Sequence, residues 1–160
     1  DAFAHVEQLD TLHPNDFATE VIDRLLTPFD REKVQRAKLV ERVLRAELKR
    51  LDADGMQKYR ANILRLITQP PLDVESPPTS RSLIFTGEYD HFTRPRYGRA
   101  LAARMKDCAF TIIEEADHLC HMERSESATA LVRKFFHDEP LVDIPGCRPA
   151  IRCGDQLAGN

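Results

Sequence analysis

Two neighbouring stretches decide the fold. The first reads Ser82-Leu-Ile-Phe-Thr-Gly87-Glu-Tyr-Asp90-His-Phe-Thr-Arg-Pro95, and the second Ala109-Phe-Thr-Ile-Ile113-Glu-Glu-Ala-Asp-His118-Leu-Cys-His121-Met-Glu123. Each opens on a short apolar run without polar alternation, the pattern of a strand buried on both faces. Gly87 stops the first run. Between the two, residues 97–105 carry Leu101 and Met105 at helical spacing. After the second, residues 125–136 place Ala128, Leu131, Val132, Phe135 and Phe136 on one helical face. Strand, helix, strand, helix predicts an α/β fold with two parallel strands joined by a crossover.

Upstream the period is helical. Asn15 or Asp16 caps a helix with Phe17, Val21, Leu25 and Leu26 apolar, stopped by Pro28. Asp30 caps a second helix to about Lys49, with Val34, Leu39, Val43, Leu44, Leu48 and Leu51 recurring and Arg, Lys and Glu on its outer face. Residues 52–55 read as a turn. A third helix runs from Met56 to about Thr68, with Ile63, Leu66 and Ile67 inward. Residues 69–78 are Pro-rich and cannot be helix interior. From His137 onward Pro140, Pro145, Gly146, Pro149 and Gly154 predict loop or disorder. Two strands are too few for a sheet covered on both faces, so further strands are expected from sequence outside this chain or from another chain.

Composition excludes several function classes. The 160 residues carry a net charge of −3 with interspersed signs, which gives no footprint for nucleic acid. Mean hydropathy is −0.44, and no apolar run reaches the roughly 20 residues of a membrane span. The chain opens on Asp-Ala-Phe with no signal peptide, and a cytoplasmic fragment of a longer protein is expected. Cys108, Cys120, Cys147 and Cys153 fit no zinc spacing; Cys147 and Cys153 either stay free thiols or pair across a short loop.

Chemistry collects where the strands end. In a parallel sheet functional side chains sit just past the carboxyl ends of the strands. Asp90 lies there after the first strand and His118 after the second. Strands about 4.8 Å apart let the two loops bring these side chains into contact. A carboxylate accepting the imidazole Nδ1–H fixes the tautomer and leaves Nε2 to take a proton from a hydroxyl. His121 is the rival histidine. His118, Cys120 and His121 are too close in sequence for a usual tetrahedral metal site, so neither metal nor cofactor is expected. His91 is a loop residue or a substrate contact, and the basic face from Arg36 to Lys49 is a solvated face or a docking surface for an acidic carrier protein.

These stretches resemble the last two strands and final helix of the α/β-hydrolase superfamily. "LIFTGEYDHFTRP" is similar to the strand and Gly-x-x-Asp turn that carry the family's acid, and "FTIIEEADHLCHMERSESATALVRKFF" to the strand, histidine and His-x-x-x-x-Glu segment that lead into the last helix. The resemblance implies Asp90 as catalytic acid, His118 as catalytic base and Glu123 as the following Glu, in a triad ordered Ser, acid, His. It implies a helical cap over residues 15–70, preceded by a connector over 1–14. A linker over 71–81 follows, then the C-terminal part of the core over 82–137 and a tail over 138–160. It implies a Ser-His-Asp enzyme for an ester or thioester, with a small-molecule ester or acyl substrate and a need for the N-terminal part of the fold. Two features depart from the pattern. Asp117 stands where the family usually has Gly, and no Gly-x-Ser-x-Gly elbow occurs, since Ser76, Ser80, Ser82, Ser125 and Ser127 lie in other contexts. "DCAFTIIEEADHLCHMERSE" and "DGMQKYRANILRLI" are also similar to acyltransferases that draw 3-hydroxyacyl groups from acyl carrier protein for lipid precursor synthesis. A non-catalytic binding protein on the same fold is a further alternative.

Overall fold

The computed structural model of the chain describes residues 12–26, 31–69 and 79–152. In chain order these form α1 (Pro14–Leu25), a 3-10 turn (Arg31–Lys33), α2 (Ala37–Lys49), α3 (Ala53–Thr68), β1 (Ser82–Gly87), α4 (Pro95–Ala102), β2 (Cys108–Ile113), α5 (Cys120–Glu123), α6 (Ser125–Phe136) and β3 (Ile151–Arg152). They divide into two compact units: residues to Leu25 with Glu41–Leu72, and Leu26–Val40 with the chain from Asp73 onward.

The second unit holds the sheet. β1 and β2 run parallel, in register from Ser82 opposite Cys108 to Gly87 opposite Ile113. All six residues of β2 are buried, because both of its edges are paired and both of its faces are covered. On one face Cys108, Phe110 and Ile112 pack with Ala102 and Met105; on the other Ile113 packs with Ala116, Cys120, Ala128, Leu131 and Ile144. That split is the period-2 alternation of a strand sandwiched between helices. Helix α4 lies close against the sheet: a Cβ on Gly98 would come within 2.8 Å of the Phe110 ring.

A third strand was not expected. Ile151–Arg152 pairs antiparallel with Phe110 and Ala109, and Cys147 bridges Ile113. The prolines around this segment favour a loop reading, and a two-residue strand is too short to show a period. The Thr111 hydroxyl also donates to the Arg148 carbonyl at 2.6 Å, which holds the segment to the sheet.

Helix boundaries also differ. The second helix starts at Ala37 rather than after Asp30, which lies outside the described residues. Arg36, between the 3-10 turn and α2, adopts a left-handed φ of 59°. Its guanidinium donates to Ser125 Oγ and Glu126 Oε1, both at 2.9 Å, and Gln35 N–H donates to the Glu115 carbonyl. These long-range bonds outweigh local helix propensity. The expected turn at 52–55 is instead the start of α3, where the Asp52 side chain caps Gly55 N–H at 2.8 Å. Leu66, expected inward, is 56% exposed. Helix α4 ends at Ala102, three residues short of Met105, which is buried beyond it.

The first unit is helical. Phe17, Ala18, Val21 and Ile22 of α1 are buried, and Phe17 meets Tyr59 of α3 edge-on with ring centres 5.4 Å apart. Burial pushes the Tyr59 hydroxyl above its ordinary pKa. Arg45 of α2 ties to Thr19 at 2.9 Å and to Glu41 at 3.1 Å.

Candidate active site

The site lies past the carboxyl ends of β1 and β2. The chain leaves β1 at Gly87, and Glu88 N–H and Tyr89 N–H donate to the carbonyls of Ile113 and Ala116, so the two loops run against each other. Gly87 is required there, since a Cβ would stand 2.1 Å from the Asp117 carbonyl oxygen and 2.6 Å from that of Ala116.

Asp90 is 4% exposed. Its Oδ1 accepts from the backbone N–H of Phe92 at 2.9 Å and of Thr93 at 2.7 Å, an Asx turn that aims the other oxygen across the site. Oδ2 accepts from the Thr93 hydroxyl at 2.6 Å and lies 3.1 Å from His118 Nδ1. Burial would raise the Asp90 pKa, but the hydrogen bonds from His118 and Thr93 outweigh it and hold the carboxyl below its ordinary value. His118 moves the other way. The Asp90 hydrogen bond raises its pKa against desolvation, helped by the charges of Asp90, Asp117 and Glu123. Phe92 packs edge-on against the imidazole at 5.0 Å.

Two buried carboxyls stand behind the histidine. Asp117 is 1% exposed, and its N–H donates to Glu123 Oε2 at 2.6 Å. Burial pushes Glu123 up to about 7, with the Asp117 N–H bond opposing and the Asp117 charge adding. Cys120 is raised to about 12 by burial, so its thiol stays neutral.

Of the residues singled out in the sequence, Asp90 and His118 come together. His121 is exposed on α5, and the hydrogen bonds of Asp90 go to His118, Phe92 and Thr93. Among the described residues no three His, Cys, Asp or Glu side chains converge to hold a metal ion. Ser82 and Ser127 donate to backbone carbonyls and Ser125 accepts from Arg36; none bonds His118. The Cys147–Cys153 alternative falls partly outside the described residues, and Cys108, Cys120 and Cys147 are free thiols. Thr93, which steadies the carboxylate, was not foreseen. Its signal was the Asp90-x-x-Thr93 spacing, which suits an Asx turn.

With Nδ1–H directed at Asp90, Nε2 is the basic nitrogen, and the pair can accept a proton from a hydroxyl and return it to a leaving group.

No family model matches the chain, and no curated protein matches it. Solved structures do. An esterase from Thermogutta terrifontis, determined with malate bound, superposes with a TM-score of 0.69 at 22% identity, over 84% of this chain and 48% of its own. The enol-lactonase from Burkholderia xenovorans LB400 superposes with a TM-score of 0.65 at 24% identity, over 84% of this chain and 49% of its own. The fold is that of the α/β-hydrolases. The chain spans about half the length of these structures, consistent with a C-terminal portion of the hydrolase fold. No helix among the described residues is long and apolar enough to cross a membrane.

Proposed function

We propose that this chain is the C-terminal part of a hydrolase-fold enzyme that cleaves or transfers an ester or thioester through a Ser-His-Asp triad, with the serine outside these 160 residues. The observation that carries the reading is the 3.1 Å contact from His118 Nδ1 to a buried, hydrogen-bonded Asp90 carboxylate. His118 is the general base and then the general acid. Asp90 fixes its tautomer and stabilises the imidazolium. Water, or the hydroxyl of a second substrate, resolves the acyl-enzyme. The helices over residues 15–70 take the role of the cap, and the substrate is a small ester or acyl compound.

The test uses the full-length protein with p-nitrophenyl esters, and hydroxyacyl thioester transfer run beside them. His118→Ala should lower kcat by roughly three orders of magnitude or more, and Asp90→Asn by a comparable factor through the wrong tautomer. His121→Ala should retain near-wild-type rates. Near-wild-type turnover by His118→Ala on both substrates would sink the reading. Transfer to a hydroxyacyl acceptor that outpaces hydrolysis would make the enzyme a transferase, with acyl carrier protein as the donor to test next.

A further inference from the structure

The loop that carries His118 turns through Glu115, a residue with a side chain in a left-handed conformation of φ 52°. Such a backbone is strained and persists only where its surroundings fix it. The peptide groups around this turn are held from outside the loop. Glu114 N–H donates to the Gly146 carbonyl at 2.9 Å, the Glu115 carbonyl accepts from Gln35 N–H at 2.9 Å, and the Ala116 carbonyl accepts from Tyr89 N–H at 2.8 Å. The Glu115 N–H is bound by a side chain: it donates to Glu88 Oε2 at 3.1 Å. The other oxygen of that carboxylate, Oε1, accepts from the Arg148 guanidinium, and Arg148 Nε lies 3.8 Å from Glu114 Oε1. Arg148 is itself anchored to β2. Its N–H donates to the Ile112 carbonyl at 2.9 Å, and its carbonyl accepts from the Thr111 hydroxyl.

We propose that Glu88 and Arg148 are positioning residues for the Asp90–His118 pair: Arg148, from the segment after α6, holds the Glu88 carboxylate on the Glu115 N–H, and this clasp fixes the turn that aims His118 at Asp90. The consequence for turnover rests on His118 being the general base; the clasp itself does not.

A plain surface ion pair has a different role. The Glu88 and Arg148 side chains are 25% and 45% exposed, and at that exposure their mutual attraction contributes little stability. A hydrogen bond from a backbone N–H to a carboxylate is directional, so it fixes geometry where a solvated ion pair only adds attraction. Glu88 also joins three segments at once. It belongs to the loop after β1, two residues before Asp90. It binds the loop after β2, three residues before His118, and it meets the segment that leads to β3. Without the carboxylate, the Glu115 N–H loses its acceptor in a turn whose conformation is already strained.

The experiment compares variants of the full-length protein by kcat and KM on a p-nitrophenyl ester, by Tm, and by nitrogen-15 histidine NMR. The NMR reads how much neutral His118 carries its proton on Nδ1, the tautomer that Asp90 favours. Glu88→Ala should lower kcat about tenfold with KM little changed, as when a catalytic group is slightly displaced. It should also let His118 populate the Nε2–H tautomer. Glu88→Gln, whose amide oxygen still accepts the Glu115 N–H, should lose about threefold or less. Arg148→Met should lose a similar factor, and Arg148→Lys should recover most of it. The charge swap of Glu88→Lys with Arg148→Glu re-forms the ion pair but offers the Glu115 N–H no acceptor. It should recover Tm without recovering kcat or the tautomer. Wild-type kcat and tautomer in Glu88→Ala, or their return in the swap, overturns the proposal. Should Glu88→Ala fail to fold, the double variant Glu88→Gln with Arg148→Met decides, and wild-type kcat and tautomer there overturns it equally. If His118→Ala stays active, the triad reading fails, and a tautomer shift in Glu88→Ala still supports the clasp.

Discussion

Glu123 is an expensive charge to keep at this site. It is 1% exposed, and burial lifts its carboxyl from the ordinary 4.5 to about 7. A carboxyl with a raised folded pKa favours folding most while it is protonated; that support fades as pH rises above 4.5 and is gone above about 7. Glu123→Gln, whose amide oxygen still accepts the Asp117 N–H, should therefore raise Tm at pH 8 and change it little at pH 4. A lower Tm at pH 8 would show that the charge stabilises the loop. In the Asp90–His118 pair it is the charged forms that the fold favours. His118, raised, adds stability below its ordinary 6.5 that is lost as pH climbs through its folded pKa. Asp90, lowered, adds stability above its ordinary 3.8 that is lost as pH falls through its folded pKa. His118→Ala should thus cost more Tm at pH 5 than at pH 9, and equal losses at both would deny the ion pair. Asp90 and His118 were legible as neighbours because topology alone puts strand-end residues on one edge. That Glu88 meets the Glu115 N–H was not, because it depends on loop backbone such as the left-handed φ of 52° at Glu115.

Elements were legible where packing and local pattern agree. β1, β2 and α6 are all continuous apolar or amphipathic runs, and each was read within a residue or two of its bounds. The pattern failed where distant partners decide: Arg36 breaks the second helix for Ser125 and Glu126, and β3 exists only because β2 offers an edge. Gly87 shows how tightly the site elements are built. With two backbone oxygens under 3 Å from a would-be Cβ, the loop after β2 has to move. Gly87→Ala should cost about 1–3 kcal/mol and pull His118 away from Asp90. The outcome to measure is a lower urea midpoint together with a His118 pKa that falls toward its ordinary value. Gly55, in the first turn of α3, is the contrast, since its Cβ would meet the flexible Leu51 side chain at 3.1 Å. Gly55→Ala should leave the site unchanged and gain up to about 1 kcal/mol through helix propensity. If Gly87→Ala behaved like Gly55→Ala, the close approach would have no role in holding the site.

At the scale of the whole molecule the sheet is unbalanced. Among the described residues β1 pairs on one side only, and its first four positions are half-buried while β2 is fully buried. An unpaired parallel edge beside partly exposed Leu83, Ile84 and Phe85 is a template for association. The matched structures are about twice as long as the stretch they share with this chain, which leaves room for the further strands expected from outside it. The 160-residue chain made alone should therefore sediment as a mixture of oligomers and unfold without a sharp transition; a cooperative monomer would contradict this. Its chemistry should fail for a separate reason. A triad draws its nucleophile, its oxyanion donors and its acid–histidine pair from different parts of the chain, and in the function proposed above only the last is here. An imidazole with a carboxylate partner but no positioned hydroxyl should turn over a p-nitrophenyl ester no faster than free imidazole. Refolding the chain with the remainder of the full-length protein should restore turnover that His118→Ala abolishes. If the isolated chain is active and His118→Ala stops it, a nucleophile lies within these residues, and the search narrows to its five serines and the threonine that already touches the pair.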